Sequence, residues 1–220
     1  MTEAPLSAED FARSGIVSRE TISRLELYAA LLIKWQKAIN LVGKDTLPDL
    51  WRRHMLDSAQ LAPLIPAVAH DGGRRTLVDF GSGAGFPGMV LAIMAADEGR
   101  QWDVHLVESD SRKCAFLSTV ARETKTTVKI HAVRIESMTV IPAHTVTARA
   151  LAPLDKLLGY AESFLQQGTE CLFLKGINVA DELTAAHKSW NMQIEQLPSR
   201  SGPAGSLLHI REISRVRSRT

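Results

Sequence analysis

The chain has 220 residues, of which 45% are hydrophobic and 23% charged, with a formal net charge of +2. That is ordinary globular composition, and the length suits one good core or a core with a small appendage. So small a net charge neither establishes nor excludes a nucleic-acid partner, because the placement of charge decides that.

The opening residues, MTEAPLSAED, carry acid and no apolar run, so no signal peptide is expected. The first 70 residues read as helical. Ser7 with Asp10 is a capping-box pattern for a short helix closed by Gly15. Ser18 can cap a longer helix on which Ile22, Leu25, Leu32, Trp35 and Ile39 recur at helical spacing. A third helix is predicted from about Thr46–Pro48 through Leu50, Trp51 and Leu61, stopping before Pro63 and Pro66. No strand signal precedes residue 76.

The polar, glycine-containing stretch HDGGRR (70–75) marks the expected boundary between a cap (1–70) and a second domain (76–220). Beyond it, apolar runs at 76–80, 102–109, 127–132, 145–150 and 171–175 are each separated by a helix-length segment. Such alternation implies βαβ units and a parallel sheet. MQIEQ and LLHIREI, joined by a Ser/Gly/Pro turn (198–206), read as a closing antiparallel hairpin. A tail from Arg211 carries Arg215, Arg217 and Arg219 against Glu212 alone. No run approaches the ~20 apolar residues of a membrane span. Cys114 and Cys171, without CxxC spacing, read as buried thiols in a reducing, cytoplasmic setting, and no metal site is expected.

The sharpest local signal is VDFGSGAGFPGMVLA (78–92), a strand running through a glycine loop into a helix. Glycines there let the chain turn tightly and a ligand approach, and the helix start offers free N–H groups. Gly83, Gly85 and Gly88 formally satisfy GxGxxG, with Glu108 about 20 residues on, so a dinucleotide-dependent oxidoreductase must be weighed. Against it, the strand ends in Asp79 and Gly81 comes a step early. An acid at that place suits the ammonium of a methionine moiety better than a pyrophosphate. The favoured reading is a methyltransferase using S-adenosylmethionine, with Glu108 accepting the ribose hydroxyls. Arg134-Ile135-Glu136 could read the adenine edge; equally, Glu136 could be a helix-opening acid.

In combination, WQKAINLVGK (35–44), RHMLDS (53–58), VDFGSGAGFPG (78–88), LVESDSRKCAFL (106–117), TARALAPL (147–154) and LFLKG (172–176) resemble the RsmG family, also called glucose-inhibited division protein B. The resemblance runs from about Tyr28 to Val216. It implies a seven-stranded, doubly wound, mostly parallel Rossmann-like sheet with an antiparallel last strand, behind a helical N-terminal cap. It implies transfer of methyl from S-adenosylmethionine to a guanine N7 of 16S ribosomal RNA near the decoding site, in the small subunit or its assembly precursor. By matching motif it places Gly81 and Phe86 in the cofactor loop, Ile135 and Glu136 beside adenine, and Arg149 at the reacting centre; Asp79, Ser82, Gly83 and Gly85 of the same tract are further cofactor-binding candidates. Glu108 stands where many members carry Asp, and either acid can hold a diol.

The chemistry agrees with the motif set. Guanine N7 carries a free lone pair, so alignment and exclusion of water replace a general base. Exocyclic-amine methylation typically goes with an Asn-Pro-Pro-aromatic tetrad after the fourth strand, where this chain reads ARALAPL. Cytosine C5 chemistry needs a cysteine nucleophile, and neither cysteine is placed for it. Arg149 could clamp the cofactor's carboxylate, contact an RNA phosphate, or form a surface ion pair. Arg53 and Asp57, four apart, can simply pair, and His54 can be a packed histidine at the junction. For RNA grip the candidates are Arg52, Arg53, His54, Arg112, Lys113, Lys175 and the tail. A monomer is expected. A small-molecule methyltransferase on the same fold and a non-catalytic RNA-binding module are the remaining alternatives.

Overall fold

The computed structural model describes residues 4–15 and 17–216. Two capped helices open the chain, α1 (Ala8–Arg13) and α2 (Arg19–Gln36). The Ser7–Asp10 capping box has both of its bonds, and Ser18 accepts the Thr21 N–H. Gly15 follows α1 in the left-handed region, as its closing role requires.

The predicted third helix is not one α-helix. A 3-10 stretch at Lys44–Asp49 passes into a π-helical turn at Trp51–Leu56, a single α turn α3 (Asp57–Ala59), and a final 3-10 turn at Ala62–Leu64. Pro48, with no N–H to give, sits inside the first stretch, and Pro63 in the last. The π turn widens the backbone where Arg53 and His54 leave it, a placement common at working sites.

The sheet is β1 (Arg75–Phe80), β2 (Trp102–Val107), β3 (Lys129–His131), β4 (Thr145–Arg149), β5 (Glu170–Lys175), β6 (Trp190–Pro198) and β7 (Ser206–Arg215). Their order is β3-β2-β1-β4-β5-β7-β6, with β1 to β5 parallel. β7 is antiparallel to both β5 and β6, so the last strand is the reversed one. Arg211 and Arg215 of the expected tail belong to β7, and Arg217 and Arg219 lie outside the described residues. The chain leaves β1 toward one side and β4 toward the other, which opens a crevice at their carboxyl ends.

Helices α4 (Gly88–Asp97), α5 (Ser111–Glu123), α6 (Leu154–Ala161) and α7 (Val179–Ala186) cover the two faces. α4 is apolar all round and buried from Gly88 to Ala95. A helix with no polar face must be covered on every side: the sheet lies beneath α4 and α2 packs over it. Leu25, Tyr28 and Leu32 of α2 share one core with Met89, Leu91, Phe116 and Leu117. Polar ties add to it: Thr21 and Arg24 both reach Asp97, and the Trp102 indole donates to the Pro66 carbonyl. Buried residues on both sides of the 70–75 stretch, such as Ile65 and Leu77, belong to this first core. The opposite face has its own core, built on Phe80, Phe164, Phe173 and Trp190.

Candidate active site

The chain leaves β1 at Phe80 and turns through Gly81–Pro87 into α4. Gly85 is the most constrained position. Its φ is +98°, and a Cβ there would meet the Tyr28 hydroxyl at 2.5 Å and Met89 Cβ at 2.8 Å. Tyr28 fills that space from α2 and donates its hydroxyl to the Ala84 carbonyl. The same ring stacks on Phe86 at 5.3 Å. His54 from the π turn also stacks on Phe86, at 4.9 Å, and the Arg149 guanidinium lies 5.0 Å from the ring centre. Phe86 therefore joins the loop, the cap and the end of β4.

Arg149 Nη1 donates to the Arg53 carbonyl at 2.9 Å and lies 3.6 Å from Asp57 Oδ2. Burial lowers the guanidinium from its ordinary pKa, and the Asp57 carboxylate opposes that shift. Arg149 thus touches the cap through both the Arg53 carbonyl and Asp57. Asp57 also accepts from Gln60 Nε2 at 2.9 Å and from Ser199 Oγ at 2.8 Å. His54 has its Nε2 against Thr46 Oγ1 at 2.8 Å, and its Nδ1 is buried without a hydrogen-bond partner among the described residues. Burial first, then the nearby Arg149 and Arg53 charges, push its pKa down to about 3, so the ring is neutral at pH 7.

Asp79 lies beneath the loop, fully buried, with Oδ1 accepting from Thr147 at 2.7 Å and Oδ2, among the described residues, without a well-formed hydrogen bond. Burial raises its pKa to about 6, partly offset by the Thr147 hydroxyl. The folded chain therefore holds a proton on Asp79 in a pH range where the unfolded chain, with its ordinary value near 4, has lost it. Stability falls as pH rises through that range. Asp79→Asn keeps an acceptor for Thr147 and is expected to leave stability nearly unchanged at about pH 4 and to raise it above about pH 6, by on the order of 2 kcal/mol. Urea titrations across that range check this, and a pH-independent difference would refute it.

Glu108, just past β2, is buried. Its Oε2 accepts the Gly83 N–H at 2.9 Å and its Oε1 the Asp110 N–H at 2.8 Å. The Glu108 N–H donates to the His131 carbonyl at 3.0 Å, which places the turn after β3, carrying Ile135 and Glu136, beside it. Ile135 is half-buried against the second core and Glu136 is exposed.

An open cavity of about 950 Å³ lies over the crevice. Of the residues singled out by sequence it brings together Gly81, Ser82, Gly83, Phe86, Arg149, Arg53, His54, Lys113 and Lys175. Asp79, Gly85, Glu108, Ile135, Glu136, Arg52 and Arg112 do not line it. Arg52 pairs with Asp49 and donates to the Ala4 carbonyl, and Arg112 pairs with Asp110, the N-cap of α5. Lys175 is turned inward: its ammonium meets Glu182 at 2.5 Å and the Ala152 carbonyl at 2.8 Å, while Glu182 accepts the Leu154 N–H. It fixes the β4–α6 loop and has little freedom to hold a phosphate. Sequence reasoning missed the hairpin tip, from which Ser199, Ser201, Ala204 and Gly205 line the cavity, and the exposed Ile177 on its rim. The turn composition of 198–206 was visible; its docking on Asp57 had no local signal.

The chain matches the model of the family described as "GidB: rRNA small subunit methyltransferase G" over residues 21–205. It is 58% identical to "Ribosomal RNA small subunit methyltransferase G" of Paramagnetospirillum magneticum, over 97% of this chain and 99% of that protein. It is 52% identical to the protein of the same name from Rhodospirillum rubrum, over 96% and 100%. Among solved structures, a putative class I S-adenosylmethionine-dependent methyltransferase from Listeria monocytogenes is similar with a TM-score of 0.61 at 14% identity, over 98% of this chain and 72% of that one. Aeropyrum pernix fibrillarin, with natively bound S-adenosyl-L-methionine, is similar with a TM-score of 0.54 at 17% identity, over 73% and 75%. These two likenesses bear on the fold alone.

Proposed function

Because the chain belongs to the rRNA small subunit methyltransferase G family, we propose that it transfers a methyl group from S-adenosylmethionine to the N7 of a guanine in 16S rRNA near the decoding site. Its substrate is the small ribosomal subunit or an assembly precursor, and it acts as a cytoplasmic monomer. No helix among the described residues is long and apolar enough to cross a membrane. The segment 1–70 is the acceptor-side wall and 76–220 the donor-binding domain.

The residues present suit this cofactor. The two backbone bonds to Glu108 hold its carboxylate fixed beside the glycine loop, with lone pairs left for a diol. Gly81, Ser82, Gly83, Gly85 and Phe86 form the loop around the methionine arm, and Asp79 supports it from below. Ile135 and Glu136 flank the adenine. Arg149, the one residue assigned a catalytic role, meets the cofactor's carboxylate near the reacting centre. When bound, S-adenosylmethionine supplies an electrophilic sulfonium methyl group.

The observation that carries the reading is the state of the titratable groups lining the cavity. Asp57 is engaged by Arg149, Gln60 and Ser199. Glu182 is engaged by Lys175 and the Leu154 N–H. His54, with its pKa near 3, is a poor base at neutral pH. An acceptor that arrives with a free lone pair and no proton to lose matches such a cavity. The chain's work is then to orient guanine against the methyl group and to exclude water.

The test is transfer of labelled methyl from S-adenosylmethionine to 30S particles from a strain lacking this protein. Label on a guanine N7 of 16S rRNA is expected. Label elsewhere, or none while the cofactor still binds, would refute the assigned acceptor.

A further inference from the structure

We infer that the tip of the β6–β7 hairpin, residues 199–205, is one jaw of the RNA cleft, and that Arg200 on it and Arg53 beside it hold backbone phosphates flanking the target guanine. The inference rests on the proposed acceptor and adds residues and a surface to it.

The tip is pinned to the cap over a long chain separation. Ser199 Oγ donates to Asp57 Oδ1 at 2.8 Å, the Arg200 N–H donates to Gln60 Oε1 at 2.8 Å, and the Ser201 N–H donates to Ser199 Oγ at 3.0 Å. Asp57 and Gln60 are both buried, so solvent competes with their bonds to the tip less than at an open surface. The serines on either side of Arg200 line the cavity while Arg200 is exposed. Arg53, also exposed, reaches the tip from the cap: its Nη1 would lie 3.7 Å from a Cβ on Gly202. Lys113 lines the same cavity from α5.

Among the described residues the charges of the two arginines are not spent on carboxylates. Elsewhere Arg24, Arg74, Arg100, Arg122 and Arg215 each close an ion pair within 3.1 Å. Among the described residues Arg53 and Arg200 have no such carboxylate. Two unpaired guanidinium groups on adjoining, rigidly tied segments at the mouth of a cleft suit an anionic ligand with regularly spaced charges. Guanidinium pairs with phosphate in a fork that fixes orientation. Phosphate contacts set the position of a nucleic acid and leave the base free for the cavity.

The experiment measures binding of purified 30S particles and methyl transfer side by side, over a range of salt, for wild type, Arg200→Ala, the Arg53→Ala/Arg200→Ala pair and Arg19→Ala as a distant exposed control. Each lost phosphate contact is expected to weaken particle binding by about fivefold and to lower the log–log salt slope by about one. Affinity of Arg200→Ala for S-adenosylmethionine is expected to stay at the wild-type value. A double variant that binds with wild-type affinity and slope overturns the inference. The Gln60→Ala/Ser199→Ala pair keeps both arginines but unties the tip, and is expected to lose particle affinity as well; unchanged binding there overturns the pinned jaw. Wild-type binding without methyl transfer would remove the proposed reaction and leave the jaw standing. Transfer that ignores the arginine variants would do the reverse, and no particle binding by wild type would overturn both.

Discussion

Arg149→Ala is expected to lower kcat/KM for methyl transfer by about 100-fold, as loss of a group that aligns reactants or meets charge at the centre does. The expectation follows from where the guanidinium sits. It ends β4 at the sheet's reversal point, lies 5.0 Å from the Phe86 ring, and is held by the Arg53 carbonyl and Asp57. The fold should survive, because Arg149 is at the crevice and neither core depends on it. A melting temperature lowered by only a few degrees (about 1–2 kcal/mol for leaving Asp57 less well partnered) would accompany the loss of activity. Arg149→Lys should recover little, since an ammonium cannot keep the ring contact and the fork together. Steady-state kinetics on 30S particles with a thermal melt of each variant decides this. Activity within about twofold of wild type in the alanine variant would remove Arg149 from the reaction.

Gly85→Ala is expected to have the largest effect on stability. The new methyl group would meet the Tyr28 hydroxyl at 2.5 Å, Met89 Cβ at 2.8 Å and Leu117 Cδ2 at 3.0 Å, at a φ of +98°. Overpacking and backbone strain each cost about 1–3 kcal/mol, so a loss of roughly 3 kcal/mol is expected. For a chain of this length that is a fall in melting temperature of about 6–12 °C. Gly88→Ala tests overpacking against the sheet without the φ term, because its Cβ would meet Leu106 Cδ2 at 2.5 Å and Asp79 Cβ at 2.7 Å. Gly159→Ala is the control: it lies within α6 with nothing inside 4 Å of a Cβ, and should be neutral or gain up to about 1 kcal/mol. Equal melting temperatures for Gly85→Ala and Gly159→Ala would refute the close packing of cap against loop.

The sheet was legible because buried parallel strands are short apolar runs that stop at turn residues. Arg75–Phe80 and Glu170–Lys175 each fall within one residue of the expected runs. The glycine loop was legible for a related reason, since few other sequences can turn that tightly into a helix. The irregular stretch from Lys44 to Leu64 was not. Apolar spacing there resembles an α-helix, and whether the backbone winds as 3-10, π or α is decided by prolines and by side-chain bonds within the stretch such as His54 with Thr46. Lys175 shows a second limit. Its charge can be read from sequence, but Glu182 and the Ala152 carbonyl, which turn it inward, come from other segments. The hairpin wall shows a third: Ser199 and Asp57 are 142 residues apart, and nothing local to either announces the bond.

Tyr28 is a residue of the cap that shapes the loop on which the donor is proposed to sit, through its hydroxyl on Ala84 and its ring on Phe86. The two halves of the reaction are therefore not interchangeable cassettes. Exchanging the N-terminal helices for those of a relative with a different acceptor would disturb donor affinity along with acceptor choice, unless the tyrosine and the glycine opposite it travelled together. Drift in α2, far from any reacting atom, is in the same way constrained by the small molecule the enzyme consumes.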